Sequence, residues 1–413
     1  MPSAPKRTAG VPFVLVTVLL DVLTFGLAIP VLPELVKQFQ GGDSAAAAAW
    51  MGILVAGFSL MQFIFAPVLG ALSDRFGRRP VLLASIAGAG ADQLLLAFAP
   101  GIGWLLAGRL LAGLTAANIT AAYAYIADVS GPEDRARNFG MVGAAFGMGF
   151  VVGPALGGWL GGMDLRYPFL LAAGLAGLNF LYGLFVLPES LRPEHRRPFR
   201  WRRANPVAAF GVLRANRTVF GLVSAQVCAV LAFGVLQTVW VLYTGQRYGW
   251  SAEENGLSLT IVGLATALVQ GALIGPLVKR LGDRGAILAG FAAMACGYAL
   301  YGLGSTSLVF CLGILLHALG GIAGPTLQGV VSRSVGPDQQ GSVAGAMAGM
   351  QSFVFIPAPL LGSALFSAFT APGAGIPVPG MPFLFGAASL LAGLFLAWRA
   401  LRRPAHCPGA TQG

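Results

Sequence analysis

The sequence predicts an all-α polytopic membrane protein with twelve transmembrane helices in two pseudo-symmetric halves of six helices. Three observations lead to this fold class. The 413-residue chain is 56% hydrophobic and 10% charged, with a mean hydropathy of +0.76, which excludes an ordinary soluble globule. Its apolar runs are long enough to cross a hydrocarbon core of about 30 Å as helices. An internal repeat relates the first part of the chain to the second.

Charged residues, glycine and proline divide the chain into twelve apolar runs. The expected spans are residues 12–36, 47–72, 81–100, 103–128, 136–161, 167–187, 218–245, 253–278, 285–304, 307–332, 341–370 and 382–401. The stretch between the sixth and seventh spans is rich in arginine and proline, and we expect it to connect the halves. The predicted domains are residues 1–187, a cytoplasmic basic linker at 188–217, and residues 218–413 with a short tail.

The basic residues predict the orientation in the cell membrane. With the N-terminus inside, twenty-two of the 26 lysines and arginines fall on the cytoplasmic side. Lys37, Arg166 and Arg247 fall on the other side, and Arg109 lies within a span. Because basic residues accumulate on the cytoplasmic side of membrane proteins, we expect both termini there. The first run has no small-residue cleavage site, which indicates a span rather than a signal peptide.

The same partition argues against other classes of protein. The net charge of +11 is spread along one membrane side and forms no basic patch interleaved with aromatic residues, so no nucleic-acid partner is expected. The four cysteines lack the spacing of metal ligands, and we expect reduced thiols and no metal. No nucleotide-binding loop or catalytic constellation is recognisable, so the sequence predicts neither an enzyme nor a cofactor.

A charged stretch, Gly70-Ala-Leu-Ser-Asp-Arg-Phe-Gly-Arg-Arg-Pro80, separates the second and third spans. We expect Gly70 to let two helix ends approach closely. Asp128, at the end of the fourth span, should meet Asp74 and Arg78 in a cluster that stabilises one conformational state. A static interfacial ion pair is the alternative. The candidate gating residues are Gly70, Asp74, Arg75, Gly77, Arg78, Arg79 and Asp128.

The internal repeat has an offset of 205 residues (275 − 70). Gly70-Ala-Leu-Ser-Asp-Arg-Phe-Gly-Arg-Arg-Pro80 aligns with Gly275-Pro-Leu-Val-Lys-Arg-Leu-Gly-Asp-Arg-Gly285. Pro132 aligns with Pro337, and Pro154 with Pro359, without a gap. Two six-helix halves of this kind can rock about a solute site near the membrane midplane.

Three residues that are charged at neutral pH lie inside the predicted spans and away from the span ends: Asp21, Asp92 and Arg109. An ionisable side chain in a span is costly unless it is paired or faces water, so each is a candidate for proton coupling. The alternative, structural roles are a helix bend at Asp21, a buried hydrogen bond at Asp92, and an Arg109 side chain that reaches from the start of its helix to the membrane interface.

The fifth span is rich in glycine around one proline, in Gly147-Met-Gly149-Phe-Val-Val-Gly153-Pro154-Ala-Leu-Gly157-Gly158. Such a pattern permits close helix packing and a bend. Packing alone would explain it. The residues singled out as a helix motif are Gly149, Gly153, Pro154, Gly157 and Gly158.

Together these motifs resemble the major facilitator superfamily, and the first half is similar to the tetracycline/proton antiporters. The matching runs are residues 20–33, the stretch from Gly70 to Pro80, residues 90–92, and Gly108-Arg109 to Asp128. The resemblance implies the major facilitator fold, transport by alternating access, and roles for Asp21, Asp74, Arg78, Asp92 and Arg109 in transport or gating. The form of the fifth span resembles the antiporter motif that distinguishes exporters from importers.

The second half departs from that family. Enterobacterial members contribute a histidine and an aspartate from spans 8 and 9, and alignment puts Thr266 and Met294 at these positions. Neither side chain can carry a proton. The glutamine of the family pattern is retained as Gln270.

Polar and aromatic residues of the spans are candidates for the substrate cavity, with helix-packing and lipid-facing roles as alternatives. They are Asn118, Gln237, Gln270, His317, Phe25, Phe146 and Trp240.

The sequence thus predicts a monomeric transporter in the lipid bilayer that exports a small amphipathic, drug-like molecule, tetracycline among the candidates, in exchange for protons. A facilitator or importer of a small metabolite without proton coupling is the alternative, and a receptor of the same fold that does not transport is a weaker one.

Overall fold

A computed structural model describes residues 10–116, 118–131, 134–191, 194, 196, 217–335, 340–371 and 378–402. Within these ranges every regular element is a helix. The elements of the first part are α1 Gly10–Ala28, α2 Leu32–Phe39, α3 Ser44–Phe76, α4 Arg78–Ala97, α5 Ile102–Thr115, α6 Asn118–Val129, α7 Arg135–Met163 and α8 Tyr167–Phe185.

The second part of the chain continues with helices of similar length. These are α9 Arg217–Tyr248, α10 Ala252–Leu268, a π-helical turn at Val269–Leu273, α11 Ile274–Leu303, α12 Ser307–Gly320, α13 Ala323–Arg333, α14 Gln340–Val354, α15 Pro357–Thr370 and α16 Met381–Leu401.

The helices confirm a multi-pass membrane protein. Ten helical stretches in the described residues are long and apolar enough to cross a membrane. One of them, Ala252–Leu303, contains two of the expected spans, which separate at Gly282 where the backbone leaves the helical region. The fourth expected span forms the shorter apolar helix α5 followed by α6. All twelve expected spans therefore lie on helices.

Four expected spans are interrupted, which corrects their prediction as continuous helices. The first span breaks between Ala28 and Leu32 around Pro30, which has no backbone N–H to donate. The fourth breaks between α5 and α6, the tenth between α12 and α13, and the eleventh before Pro357. Proline or glycine stands at or beside the first, tenth and eleventh breaks. Apolar composition alone does not reveal where a helix is interrupted.

The helix boundaries confirm the internal repeat. The start of α5 at residue 102 recurs at residue 307, which is 205 residues later. The end of α5 at Thr115 recurs at Gly320. The turn glycines Gly77 and Gly282 also obey the offset, and both have positive φ. The repeat therefore extends to the backbone conformation.

The described helices group into two compact units. The first contains residues 1–206 and 240–263, and the second contains residues 207–239 and 264–413. In the first unit α1 packs on α7 and α8, while α4 packs on α5 and α8. In the second, α11 packs on α12 and α16. The grouping puts the start of α10 with the first unit, although the repeat assigns it to the second half.

Glycine lets α11 and α12 come together at the backbone level. A Cβ atom on Gly297 would lie 2.8 Å from the Gly313 carbonyl oxygen and 2.8 Å from the His317 nitrogen. Gly313 in turn would meet the Gly297 oxygen and the Tyr301 ring at 2.9 Å. Because lipid tails give no hydrophobic drive between helices, such close van der Waals packing is a main source of helix association.

We expect Gly297→Ala to lower the melting temperature in detergent, because its methyl group has no space between α11 and α12. Gly177→Ala in α8 is the matched control, since no described atom lies within 4 Å of its Cβ position. Overpacking should separate the two variants by about 1–3 kcal/mol in unfolding free energy. Equal melting temperatures would contradict this packing account.

Candidate functional site

Asp92 of α4 and Arg109 of α5 form a buried ion pair in the first unit. The residues are 1% and 7% exposed. Arg109 Nε donates to Asp92 Oδ1 at 3.2 Å, and Arg109 Nη2 contacts Asp92 Oδ2. The two-point geometry holds both side chains in one orientation. Arg109 therefore turns inward to Asp92 instead of reaching out to the interface.

Glycine makes room for this pair. A Cβ atom on Gly108 would lie 2.7 Å from Asp92 Oδ1. One turn away, Gly88 of α4 accommodates the side chain of Thr115 from α5. The two helices can thus approach closely enough for a short aspartate to reach the guanidinium.

Gln93, beside Asp92, adds a second polar group that the sequence did not single out. Its Nε2 donates to Asp92 Oδ2 at 3.5 Å. Its Oε1 is buried and accepts no hydrogen bond within the described structure. The pair therefore has an open acceptor next to it in an otherwise apolar helix interface. Asp21, the third intramembrane ionisable residue, lies half-buried in α1.

The glycines of α7 contact the backbone of α1. A Cβ atom on Gly149 would lie 2.9 Å from Val22 Cβ, and one on Gly153 would lie 2.8 Å from Gly26 Cα. Gly157 faces the carbonyl of Leu27 with still less space. Three glycines at intervals of four therefore line the α1 face of this helix.

The opposite side of α7 packs on the start of α10. A Cβ atom on Gly158 would lie 2.9 Å from Gly256 Cα, and one on Gly256 would lie 2.5 Å from the Pro154 oxygen. Thr260 Oγ1 lies 3.2 Å from the Val151 oxygen and donates toward it. Glycines on both sides of α7 therefore let it pack against two helices with little side-chain bulk between them.

The charged stretch before Pro80 forms a compact cluster around Arg78. Arg78 Nη1 donates to Asp74 Oδ1 at 2.6 Å, and Arg78 Nε donates to Asp128 Oδ2 at 3.1 Å. Ser190 Oγ donates to the same Asp128 oxygen at 3.1 Å. The cluster predicted from Asp74, Arg78 and Asp128 is therefore assembled within the first unit.

Glu189 anchors this cluster and was missed by sequence reasoning. Its carboxylate accepts from the backbone N–H of Arg78 at 2.8 Å and of Arg79 at 3.3 Å, at the start of α4. It also accepts from Leu191 N at 3.0 Å. Gly77 has φ of 114°, and a Cβ there would overlap the Glu189 carboxylate. A carboxylate directly after the sixth span, opposite a basic loop, was the available signal.

The remaining residues of the stretch have separate roles. Arg79 donates to the carbonyls of Gly183 and Leu184 at the end of α8, and exposed Arg75 lies over the Phe76 ring. Gly70 corrects the expectation of close approach. It lies inside α3, which continues to Phe76, and no described atom of its unit is within 4 Å of its Cβ position. The turn itself is made at Gly77.

Four cavity candidates lie in the first unit, and the structure describes the side chains of three of them. Phe25 and Phe146 are each 41% exposed, and Phe146 stacks on Phe150 with ring centroids 6.5 Å apart. Trp240 is 2% exposed and donates from Nε1 to Ser258 Oγ at 3.1 Å. Its indole thus fills a helix interface, which corrects its assignment to an open cavity wall. Asn118 lies outside the side chains that the structure describes.

The other three candidates lie in the second unit. His317 Nδ1 is 3.2 Å from the Tyr301 hydroxyl, and its ring meets Tyr298 edge-on at 5.1 Å between centroids. This aromatic packing is the helix-contact role weighed for His317. Gln237 is half-buried in α9, and Gln270 is exposed on the π-helical turn.

The positions that depart from the family pattern are also in the second unit. Thr266 is half-buried in α10, four residues before Gln270. Met294 packs over Gly320, where a Cβ atom would lie 2.9 Å from the Met294 nitrogen. Met294 is thus part of the α11–α12 contact rather than a polar site.

We expect Glu189→Gln to loosen the start of α4, because a neutral amide replaces a carboxylate that accepts three backbone hydrogen bonds. Hydrogen bonds to charged groups contribute about 1.5–3 kcal/mol, so the melting temperature should fall. Glu194→Gln, at an exposed residue, is the control and should leave it unchanged. Differential scanning fluorimetry in detergent measures both, and equal values would argue against the anchoring role.

Comparison with known proteins agrees with this architecture. The model of the Major Facilitator Superfamily matches residues 14–241 and 222–412. The chain is 44% identical over 363 residues to the class C tetracycline resistance protein of Escherichia coli. The matched region covers 88% of this chain and 91% of that protein. It is 30% identical over 356 residues to multidrug resistance protein 2 of Bacillus subtilis, covering 83% and 85% of the two chains.

A solved structure extends the likeness to three dimensions. The crystal structure of the human organic anion transporter MFSD10 is similar with a TM-score of 0.69 and 25% identity, over 95% of this chain and 100% of that one. The sequence matches, the helical fold and the two repeated halves agree with one another. The chain belongs to the Major Facilitator Superfamily, as a multi-pass membrane transporter related to the tetracycline resistance proteins rather than an enzyme.

Proposed function

We propose that this transporter exports a tetracycline-like amphipathic drug in exchange for protons, by alternating access. The buried Asp92–Arg109 pair is the observation that carries the proton coupling. The similarity to tetracycline and multidrug resistance proteins supports the substrate class. In this proposal Asp92 takes up the proton, and Arg109 responds to the change in its charge.

The energetics of the pair support a coupling role. A buried arginine that loses its carboxylate partner is left uncompensated, at a cost of about 3–5 kcal/mol. Protonation of Asp92 therefore favours any conformation in which Arg109 reaches water or another acceptor. A proton gradient can shift the conformational equilibrium by this difference in affinity for the proton.

The neighbours of the pair favour such a change. Gln93 Oε1 is buried beside Asp92 with no partner in the described residues. It can therefore accept a hydrogen bond from the protonated Asp92 carboxyl without losing another hydrogen bond. Gly108 and Gly88 leave little side-chain bulk between α4 and α5. We propose that Asp21 of α1, also half-buried, takes part as a second proton or substrate contact.

The proposal that the protein exports its substrate rests on the packing of α7. Its glycines bring it into backbone contact with α1 on one side and with α10 on the other. We propose that this close packing seals one side of the transporter, as the antiporter motif that the helix resembles suggests. We also propose that both termini lie in the cytoplasm, as the distribution of basic residues predicts, and that the protein acts as a monomer.

A facilitator without proton coupling is the second candidate, and one observation favours it. Thr266 and Met294 carry no proton, so the described part of the second half offers no counterpart to the Asp92–Arg109 pair at these positions. In that case Asp92 and Arg109 are structural, and transport follows the drug gradient alone.

Tetracycline uptake into inverted membrane vesicles, driven by an imposed pH gradient, tests the proposal. We expect uptake by the wild type to collapse when a protonophore is added, and Asp92→Asn to lower it more than tenfold. Asp164→Asn, at an exposed residue of the α7–α8 turn, controls for charge loss. If uptake depended neither on the pH gradient nor on Asp92, proton coupling would be refuted and the facilitator would be the supported function.

The double variant Asp92→Asn/Arg109→Gln separates coupling from folding. The single variant leaves a buried arginine unpaired and should be less stable, whereas the double variant has no unpaired charge. We therefore expect the double variant to recover the melting temperature but not the gradient-driven uptake. Recovery of both would show that the pair serves only the fold.

A further inference from the structure

Glu34 of α2 carries a carboxylate without a partner among the residues that the structure describes. The residue is half-buried, yet its carboxylate forms no hydrogen bond and no ion pair with a described group. Because α2 precedes α3, which ends at Phe76, Glu34 lies at the end of the first unit opposite the charged cluster around Arg78. A carboxylate that is partly removed from water and unpaired is a candidate contact for a cation.

The carboxylate of Glu34 lies over a glycine of α9. A Cβ atom on Gly245 would be 3.4 Å from Glu34 Oε1 and 3.6 Å from the Trp250 carbonyl oxygen. No third described atom from outside the α9 backbone lies within 4 Å of that position. All three residues belong to the same compact unit. We call the space above Gly245, between these two oxygen atoms, the Gly245 notch.

Two aromatic side chains lie beside the Gly245 notch. Tyr248 is three positions after Gly245 in α9, and residues three apart share one helix face. The rings of Tyr248 and Trp250 have centroids 5.7 Å apart, and both residues are half-buried. The face of an aromatic ring attracts cations. Because α9 ends at Tyr248, the negative end of its helix dipole adds to this attraction.

The basic residues on the same two helices do not neutralise the carboxylate. Lys37 is three positions after Glu34 in α2, and Arg247 lies in the last turn of α9. Neither forms an ion pair with Glu34 in the described structure. Lys37 shares the helix face of Glu34, so its positive charge opposes the binding of another cation there.

We propose that the Gly245 notch binds an organic cation, a protonated or quaternary amine with apolar substituents, between Glu34 and the rings of Tyr248 and Trp250. The donor set favours this class over a metal ion. Ca²⁺ and Mg²⁺ take about six to eight oxygen ligands, whereas the notch offers two oxygen atoms and two aromatic rings. Binding itself is independent of the transport cycle. A role for the notch as the place where a cationic drug leaves the protein rests on the proposed function.

Three variants remove parts of the notch. Glu34→Gln keeps the shape of the side chain and removes its charge, and should weaken cation binding about fivefold. Tyr248→Leu keeps an apolar side chain without the aromatic face, and should weaken it about two- to fivefold. Gly245→Ala places a methyl group on the floor of the notch. Its nearest described neighbour would be 3.4 Å away, so we expect weaker binding by about twofold or more without a lower melting temperature.

Two further variants fix the interpretation. Lys37→Gln removes the opposing charge, so we expect it to strengthen cation binding by about twofold. Glu253→Gln is the matched control, since Glu253 is an exposed acidic residue in the first turn of α10 and has no part in the notch. Melting temperatures in detergent establish that every variant is folded.

The measurement is equilibrium dialysis of the full-length protein in lipid nanodiscs, with empty nanodiscs subtracted. Tetraphenylphosphonium is the cationic probe, and triphenylphosphine oxide is a neutral probe with a similar aromatic surface. We expect Glu34→Gln to raise the Kd of the cation and to leave that of the neutral probe unchanged. Equal affinity of wild type and Glu34→Gln for the cation would overturn the site, because any binding would then lie elsewhere. Equal loss for both probes would also overturn it, because charge would not be recognised.

The role in export is tested separately from binding. Cells that express Glu34→Gln should expel tetraphenylphosphonium about fivefold more slowly than cells that express Glu253→Gln. Equal efflux would refute the role in export, even if the notch binds the cation. Failure of the wild type to transport tetracycline would refute the proposed substrate, whereas the dialysis measurement, which needs no tetracycline, would still decide whether the notch is a cation site.

Discussion

The ion pair between Asp92 and Arg109 constrains how the helices of the first unit pack. Each charge alone would be costly inside a membrane helix bundle, and together they are tolerated because they meet with two-point geometry. This requires α4 and α5 to run close to each other at one level. Gly108 and Gly88 supply that proximity. The helix interface and the ionisable site are consequently one feature, and a change in the charge of Asp92 bears directly on how the two helices pack.

The same reliance on small residues governs α7. Between α1 and α10 it presents glycines on both faces, so its contacts are largely backbone to backbone. Close backbone contact provides dispersion energy in an environment where burial of apolar surface provides none. It also makes the interface intolerant of intermediate positions, because helices in such contact cannot slide without collision. A tightly packed helix of this kind suits a protein that alternates between discrete states.

At the end of the first unit, one carboxylate organises several elements. Glu189 accepts from the start of α4 and lies against Gly77, while Ser190 next to it bonds Asp128. The segment after α8 is thereby tied to the turn between α3 and α4.

The sequence by itself determined the membrane class, the twelve spans, the repeat and the residues of the first charged cluster. Each of these depends on hydropathy or on spacing along the chain, which are local properties. It also drew attention to Asp92 and Arg109 because charges are rare in spans. Only the tertiary structure decided that these two residues pair, that Arg109 turns inward, and that Trp240 fills a helix interface instead of facing a cavity. These outcomes depend on which helix faces meet, and residues 17 or more positions apart meet through packing that no local pattern encodes. The contacts of Glu189 and the Gly245 notch became visible for the same reason, since their parts come from distant elements brought together at the helix ends.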